Sequence, residues 1–427
     1  MAILKNKLFY NIGIYGITNA LNAAIPFFLL PILTHYLLPK DFAIIALFQA
    51  LTSFLMPFVS LNFTSAVSVN YFYREKFKFD EYIFNGLFIL FISGLTFCTF
   101  IFLLRDGISE LFDFPAPWLL WVVIYVMFFK VVELMTVIWR VQSKPLPFGI
   151  LKISMTILEL ILAVTLIVSV QMNWEGRIIS MISSVLVFAL VVSFILVRKK
   201  LLSFRINKSY IKDILRFGVP LIPHSIGGIL IVFSDRIFIV KMVGEEALGL
   251  YSVGYQVGMI VSLIQNSFNQ AWTPYFYGKL KEGSEAVKLK IVKFTYAYFA
   301  MMLFLVLVIN LLEGFIFEYF IGEKFQNAMI FVFWITLAFA INGMYKMLVN
   351  YFFYLKRTIT VSIITFSAAT LNLILNYFLI KENGALGAAQ AAVIAFLAQF
   401  IIVWIVANRA FPMPWFFFIH SSKLNKK

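Results

Sequence analysis

Six ionisable side chains lie inside long apolar stretches of this sequence. They are Lys130, Glu133, Glu159, Asp235, Arg236 and Lys346. Because a charge inside a membrane-spanning segment is costly, each is a first hypothesis for a functional site. A guanidinium can hold a phosphate through two parallel hydrogen bonds, and a buried ammonium also attracts anions. We therefore predict that Arg236, Lys130 and Lys346 bind an anionic group; the structural alternative is that Arg236 and Lys346 reach the membrane surface along their flexible side chains.

The spacing of Lys130, Glu133 and Glu159 predicts a charge cluster. Lys130 and Glu133 are three residues apart, which places them on one face of a helix. The turn expected between the fourth and fifth apolar stretches lies midway between Lys130 and Glu159, so antiparallel helices would hold both at similar depth. We predict a Lys130–Glu159 contact with Glu133 nearby. One interpretation is that the cluster is an ion pair that neutralises itself. In the other, Glu133, Glu159 and Asp235 are charge partners or the site of a coupling ion, H⁺ or Na⁺.

Polar amides form a second pattern inside the apolar stretches. Gln265, Asn266, Asn269 and Gln270 follow one face of a helix. Such a stripe must face another helix or water, because hydrocarbon offers no hydrogen-bond partner. Hydrogen bonding between helices is one interpretation, and a cavity for a hydroxyl-rich ligand is the other. The residues assigned to a ligand in this second interpretation are Asn62, Gln265, Asn269 and Asn342.

The elements that carry these residues are twelve expected membrane-spanning helices. A span needs about 20 apolar residues. The predicted spans are Leu8–Thr34, Phe42–Phe63, Tyr82–Leu104, Pro117–Trp139, Pro147–Val170, Ile178–Val197, Phe217–Val240, Leu248–Trp272, Ile291–Leu312, Ala328–Phe353, Ile359–Ile380 and Ala385–Ala407. The sequence thus predicts an all-α integral membrane protein.

The basic residues alternate between the two sides of these spans. Of the 35 Lys and Arg residues, 26 belong to alternate segments that begin with the N-terminus, counting Lys152 and Lys293 near the cytoplasmic ends of their spans, and three lie deeper inside spans. The intervening loops hold one each: Lys40, Arg105, Arg177, Lys241, Lys324 and Lys381. Basic loops stay cytoplasmic, so we expect both termini in the cytoplasm and an even number of spans.

Composition excludes several other classes. Charged residues make up 13% of the chain, against about 25% in soluble domains. The net charge of +15 comes mostly from the segments on one side of the predicted spans, and no basic surface stands apart from the spans. This distribution argues against nucleic-acid binding. Cys98 is the single cysteine and the three His are scattered, so we expect no disulfide within the chain and no metal site. Without a phosphate-binding Gly-rich loop or a catalytic-sized loop, we expect neither ATP use nor an enzyme.

A basic connection near residues 198–216 divides the chain into halves of six spans. Six is even, so both halves would enter the membrane in the same orientation, as parallel repeats do. Weak similarity between Leu37–Ala46 and Val243–Ser252 supports a repeat. The predicted division is an N-terminal six-helix bundle at 1–200, a basic cytoplasmic linker at 201–216, a C-terminal six-helix bundle at 217–409 and a cytoplasmic tail at 410–427.

Three segments resemble polysaccharide flippases of the Wzx type. They are Pro31–Ala43 (PILTHYLLPKDFA), Asp235–Gly254 (DRIFIVKMVGEEALGLYSVG) and Asn376–Ala392 (NYFLIKENGALGAAQAA). The resemblance covers essentially the whole chain, with Ala43 as a departure where the family often has Gly. It implies two six-helix bundles related by a pseudo-twofold axis around a central cavity that opens alternately to either side.

The resemblance also implies a function. Such proteins move undecaprenyl-pyrophosphate-linked oligosaccharides to the external leaflet of the bacterial cytoplasmic (inner) membrane for O-antigen, lipopolysaccharide or capsule assembly. Membrane lipid, a polysaccharide polymerase and a chain-length regulator are then the expected partners, and no organic cofactor is expected. Two alternatives stay open: a drug/cation antiporter of the same fold, and a non-transporting membrane scaffold for glycan-assembly enzymes.

Overall fold

The protein is described here by a computed structural model. The structure describes residues 29–415 except Phe77, Ser143 and Lys356, together with Thr18 and Leu21. All regular secondary structure in that part of the chain is helical. The helices are α1 Pro39–Ser60, α2 Phe63–Asn70, α3 Phe79–Phe112, α4 Leu119–Val141, α5 Pro145–Val164, α6 Trp174–Arg198, α7 Lys208–Gly218, α8 Ile222–Met242, α9 Glu245–Glu282, α10 Glu285–Phe320, α11 Met329–Tyr354, α12 Thr358–Asn383 and α13 Leu386–Ala410.

Several helices begin where the sequence supplies a local cap. Helix α1 starts with Pro39, whose missing N–H costs nothing there, and the Asp41 carboxylate accepts a hydrogen bond from the Leu38 N–H at 2.8 Å. Helix α7 starts after Asn207, whose side chain accepts from the Ser209 N–H at 3.0 Å. Helix α10 starts after Ser284, whose side chain accepts from Val287. These caps fix where the three helices begin.

Ten helical segments of the described chain are long and apolar enough to cross a membrane. They correspond to the second to sixth and the eighth to twelfth predicted spans. The predicted first span, Leu8–Thr34, lies mostly outside the described residues, although residues 29–36 are helical. The predicted seventh span corresponds to α8, which has 21 residues and is not among the ten. The chain is therefore a multi-pass membrane protein, and the count of twelve spans stays a prediction.

Two helices are much longer than the apolar runs that predict them. Helix α3 has 34 residues where Tyr82–Leu104 was predicted, and α10 has 36 where Ile291–Leu312 was predicted. At 1.5 Å per residue α3 is about 51 Å long, well beyond a hydrocarbon core of about 30 Å. Hydrophobicity marks where a helix leaves the lipid, whereas charged residues such as Arg105 can continue the helix in water.

The predicted second span breaks near its end. Helix α1 stops at Ser60, Leu61 and Asn62 adopt left-handed φ angles of 46° and 52°, and α2 follows. Gly218, at the end of α7, packs against this break. A Cβ atom on Gly218 would lie only 1.9 Å from the carbonyl oxygen of Leu61. Glycine at 218 is therefore what allows α7 to approach the broken helix.

The chain divides into two compact units, Met1–Ser252 and Val253–Lys427. In the first unit α4 packs against α1, α3 and α6. In the second unit α13 packs against α11 and α12, and α10 packs against α11. The boundary between the units falls inside α9, later in the chain than the predicted linker at 201–216. The division into bundles at 1–200 and 217–409, their pseudo-twofold relation and a central cavity stay predictions.

The segment after α13 folds back into the second unit. Trp415 is 2% exposed, and its carbonyl accepts a hydrogen bond from the Tyr296 hydroxyl at 2.9 Å. Its ring lies 5.3 Å from that of Trp404. The start of the predicted tail at 410–427 is thus packed among aromatic residues; residues 416–427 lie outside the described part.

Candidate functional site

Charged residues within α4, α5 and α6 of the first unit form two separate ion pairs. Lys130 Nζ lies 2.5 Å from Glu133 Oε2, one helical turn along α4. Glu159, on α5, pairs with Arg177 Nη1 at 2.7 Å. The predicted Lys130–Glu159 contact is therefore wrong, whereas the nearness of Glu133 to Lys130 is confirmed. A partner one turn away on the same helix needs no particular helix packing, and this local pairing outweighs the predicted one.

Arg177 is a buried residue that the sequence pattern placed in an external loop. It lies in the first turn of α6, is 7% exposed, and also donates to Ser180 Oγ at 3.2 Å. Its position next to a turn suggested a solvated charge. Glu159 is the sequence feature that could have identified Arg177 as a buried partner. A buried carboxylate needs a cation, and Lys130 lies farther from Glu159 along the sequence than Arg177 does.

Lys152 is a second cation that the sequence pattern assigned to a cytoplasmic loop. It lies within α5, half-buried, with its ammonium 5.1 Å from the centre of the Phe148 ring. It interacts electrostatically with Glu133 and with Arg140. Helices α4 and α5 thus carry charges of both signs within the first unit.

Asp235 and Arg236 are enclosed by protein. They are 2% and 8% exposed, and the Tyr251 hydroxyl donates to Asp235 Oδ2 at 3.2 Å. Arg236 therefore packs against protein, and the alternative in which it reaches the membrane surface stays open. A buried acid and a buried base both need polar partners, and Tyr251 supplies one to Asp235.

A row of hydrogen bonds, which we call the amide seam, joins α9 to α11 in the second unit. Lys346 Nζ donates to Asn266 Oδ1 at 2.6 Å. Asn350 Nδ2 donates to Asn269 Oδ1 at 3.1 Å, and Gln265 Nε2 lies 3.5 Å from Asn342 Oδ1. The seam consists of Gln265, Asn266, Asn269, Asn342, Lys346 and Asn350.

The seam follows from helical periodicity. The residues contributed by α11 recur every four positions, and those of α9 recur with similar spacing, so both rows face one another. The structure confirms that the amide stripe faces another helix, although the side chain of Gln270 lies outside the described residues. Gly343 makes the approach possible, because a Cβ atom there would lie 3.0 Å from both Gln265 Oε1 and the Tyr298 hydroxyl.

Part of the seam is open to the surroundings. Asn266 is exposed and Lys346 is half-buried, whereas Gln265 and Asn350 are buried. The buried Gln265 Oε1 atom has no hydrogen-bond partner in the described chain. Polar groups at membrane depth cannot be left facing hydrocarbon, so the open edge of the seam must face water or a polar ligand.

Lys346 carries the charge of this seam. In the described part of the chain no carboxylate pairs with it, and its hydrogen bond goes to a neutral amide. Lys130 and Arg177, in contrast, each pair with a glutamate. The second unit therefore presents a net positive charge surrounded by amides, an arrangement that can bind an anionic group together with hydroxyls.

Asn62 belongs to the first unit, unlike the other amides assigned to a ligand. It lies at the break after α1 in the first unit, and its Nδ2 donates to the carbonyl oxygen of Gly218 at 3.2 Å. It thus holds two chain segments together and does not join the amide seam. Within the described residues, no group of three His, Cys, Asp or Glu side chains is arranged to hold a metal ion.

These features define the class: a multi-pass helical membrane protein with buried ion pairs in one unit and a cationic amide seam in the other. The model of a family described as "Polysaccharide biosynthesis protein" matches residues 8–278. The chain belongs to that family, so the predicted resemblance to polysaccharide flippases is confirmed.

Known proteins and structures support the same class. An uncharacterized membrane protein from Haemophilus influenzae is 27% identical over 373 residues, which cover 85% of this chain and 86% of that protein. An inward-facing multidrug resistance MATE family transporter of the MOP superfamily matches with a TM-score of 0.71 at 15% identity, covering 93% and 94% of the two chains. The lipid II flippase MurJ, in an inward closed conformation, matches with a TM-score of 0.71 at 14% identity, covering 96% of this chain and 88% of MurJ. This fold is that of transporters and flippases.

Proposed function

We propose that the protein is a flippase that moves an undecaprenyl-pyrophosphate-linked oligosaccharide from the cytoplasmic to the external leaflet by alternating access. The observation that carries this proposal is the amide seam, where Lys346 lies among amides with no carboxylate partner in the described chain. The ligand's pyrophosphate needs a cation, and its sugar hydroxyls need hydrogen-bonding groups that hydrocarbon lacks.

In this proposal Lys346 contacts the pyrophosphate while Asn266, Asn269 and Asn342 bond to sugar hydroxyls. Lys130 and Arg236 were predicted as further anion contacts. Because Lys130 already pairs with Glu133, we assign it a smaller share of the binding energy than Lys346.

The direction of movement agrees with the membrane potential. Movement of an anion outward across an inside-negative membrane is favoured by about 2.3 kcal/mol per charge per 100 mV. Glu133, Glu159 and Asp235 are the proposed charge partners, and a coupling ion, H⁺ or Na⁺, would act through them. Assignment to the bacterial inner membrane, with both termini cytoplasmic, and to O-antigen or capsule assembly is part of the same proposal.

The test is a complementation assay for surface-glycan export with Lys346 variants. We expect Lys346→Gln to reduce export at least tenfold because it removes the charge, and Lys346→Arg to retain most of it. The matched control is Lys381→Gln, which removes an exposed cation outside the seam. Full export by Lys346→Gln, at normal protein level in the membrane, would contradict the assignment.

The drug/cation antiporter is the alternative that the shared MATE fold keeps open. An antiporter of organic cations would need an acidic binding surface, whereas the amide seam is cationic. A drug-resistance profile separates the two, since the flippase predicts no change in resistance when the protein is expressed.

A further inference from the structure

An apolar groove lies on the first unit, between α3, the break after α1 and the amphipathic helix α7. Its volume is about 350 Å³. Nine residues line this linker groove: Leu61, Phe88, Ile89, Ile92, Ser93, Thr96, Phe97, Ile211 and Leu215. The two hydroxyls among them are already bonded to backbone carbonyls, Ser93 to Phe58 and Thr96 to Ile92. The groove therefore offers a hydrocarbon surface with no polar group in need of a partner.

Hydrogen bonds fasten the segment that forms one wall of the groove. Asn85 Nδ2 donates to the carbonyl of Arg205 at 2.9 Å, and Asn85 Oδ1 accepts from the Asn207 N–H at 2.9 Å. Farther along, Asp213 Oδ2 accepts from the Tyr82 hydroxyl at 2.8 Å and from Asn70 at 3.2 Å. Helix α7 is thus held against α2 and α3, and the groove is formed in advance of any ligand.

The outer edge of the groove is basic. Lys208, Lys212 and Arg216 recur every four residues along α7 and are exposed. Lys212 and Arg216 each directly follow a groove-lining residue, Ile211 and Leu215. No carboxylate of the described chain pairs with Lys212 or Arg216, since Asp213, the acid of α7, is turned to Tyr82 and Asn70.

We propose that the linker groove binds an acyl chain of an anionic phospholipid whose phosphate lies against Lys212 and Arg216. Helix α7 carries both groove-lining residues and the basic residues of the edge. A short amphipathic helix that lies in a membrane interface has this combination of apolar and basic side chains. Each basic side chain near an anionic headgroup adds to the attraction. The ligand class is a membrane phospholipid with net negative charge, held on the side of the membrane that the basic loops face. The site is separate from the amide seam and does not depend on the proposed transport activity.

The test is native mass spectrometry of the purified full-length protein with phosphatidylglycerol and with phosphatidylcholine of identical acyl chains. We expect the wild-type protein to retain phosphatidylglycerol preferentially. Lys212→Gln/Arg216→Gln removes the edge charges and should weaken retention by about thirtyfold, from the contribution of two basic residues near a headgroup. Thr96→Trp fills the groove from an exposed position and should weaken retention similarly.

The controls are Lys381→Gln, an exposed cation in the second unit, and Thr96→Ala, which leaves the groove open. Both should retain phosphatidylglycerol as the wild type does. Equal retention of the two phospholipids, or no loss in either test variant, would overturn the proposal. Loss in the charge variant alone would also overturn it, because the groove would then play no part. Stronger retention of undecaprenyl phosphate than of phosphatidylglycerol would overturn the choice of a phospholipid.

Discussion

At the residue scale, two buried cations of the first unit each pair with a glutamate: Lys130 with Glu133, and Arg177 with Glu159. Burial in an apolar run singled out Lys130, Glu159 and Lys346, and the amide periodicity correctly placed a stripe against another helix. The partner of Glu159 was missed because Arg177 lies in the first turn of α6. A charge so close to the end of a span was predicted to lie in solvent. Pairing depends on how neighbouring helices are rotated and staggered, which periodicity within one helix does not fix.

The Glu159–Arg177 pair gives a stability prediction. Glu159→Leu leaves Arg177 buried without its carboxylate, and we expect a loss of about 3–5 kcal/mol in the free energy of unfolding. Glu159→Leu combined with Arg177→Met removes both charges and should restore most of the loss. Denaturation of the purified protein in detergent measures both variants. A single variant as stable as the wild type would show that the pair is not buried.

At the element scale, apolar runs predicted the positions of ten spans, but not the full lengths of α3 and α10 or the break after α1. Lengths were missed because hydropathy reports where lipid ends rather than where helical hydrogen bonding ends. The break was missed because it depends on a distant residue: Gly218 accommodates the Leu61 carbonyl, and Asn62 bonds across to Gly218. Such a long-range fit leaves no local trace in the sequence.

Gly218 gives the matching prediction. Gly218→Ala places a methyl group against the Leu61 backbone carbonyl, which cannot move aside as a flexible side chain would, so α7 must shift. We expect a loss of about 1–3 kcal/mol in unfolding free energy, typical of overpacking. The control is Gly107→Ala, where the new Cβ meets nothing within 4 Å and alanine's helix propensity is slightly favourable. Equal melting temperatures for the two variants would contradict the proposed fit.

At the scale of the whole molecule, charge sidedness and hydrophobicity sufficed to predict a multi-pass helical membrane protein. The family and the fold of transporters and flippases agree with that prediction. The boundary between the two compact units falls inside α9, where no polar linker marks it, and the division into bundles at 1–200 and 217–409 stays a prediction.

The measurement that tests the central claim most directly is transport by the purified protein in sealed vesicles. Vesicles would contain a labelled undecaprenyl-pyrophosphate oligosaccharide, and its exposure on the opposite leaflet would be followed with an impermeant lectin or hydrolase. We predict movement with the wild-type protein and with Lys346→Arg, and at least tenfold slower movement with Lys346→Gln. Lipid-linked sugar that stays in its original leaflet with the wild-type protein, under an imposed potential and with H⁺ and Na⁺ gradients tried in turn, would contradict the proposed flippase function.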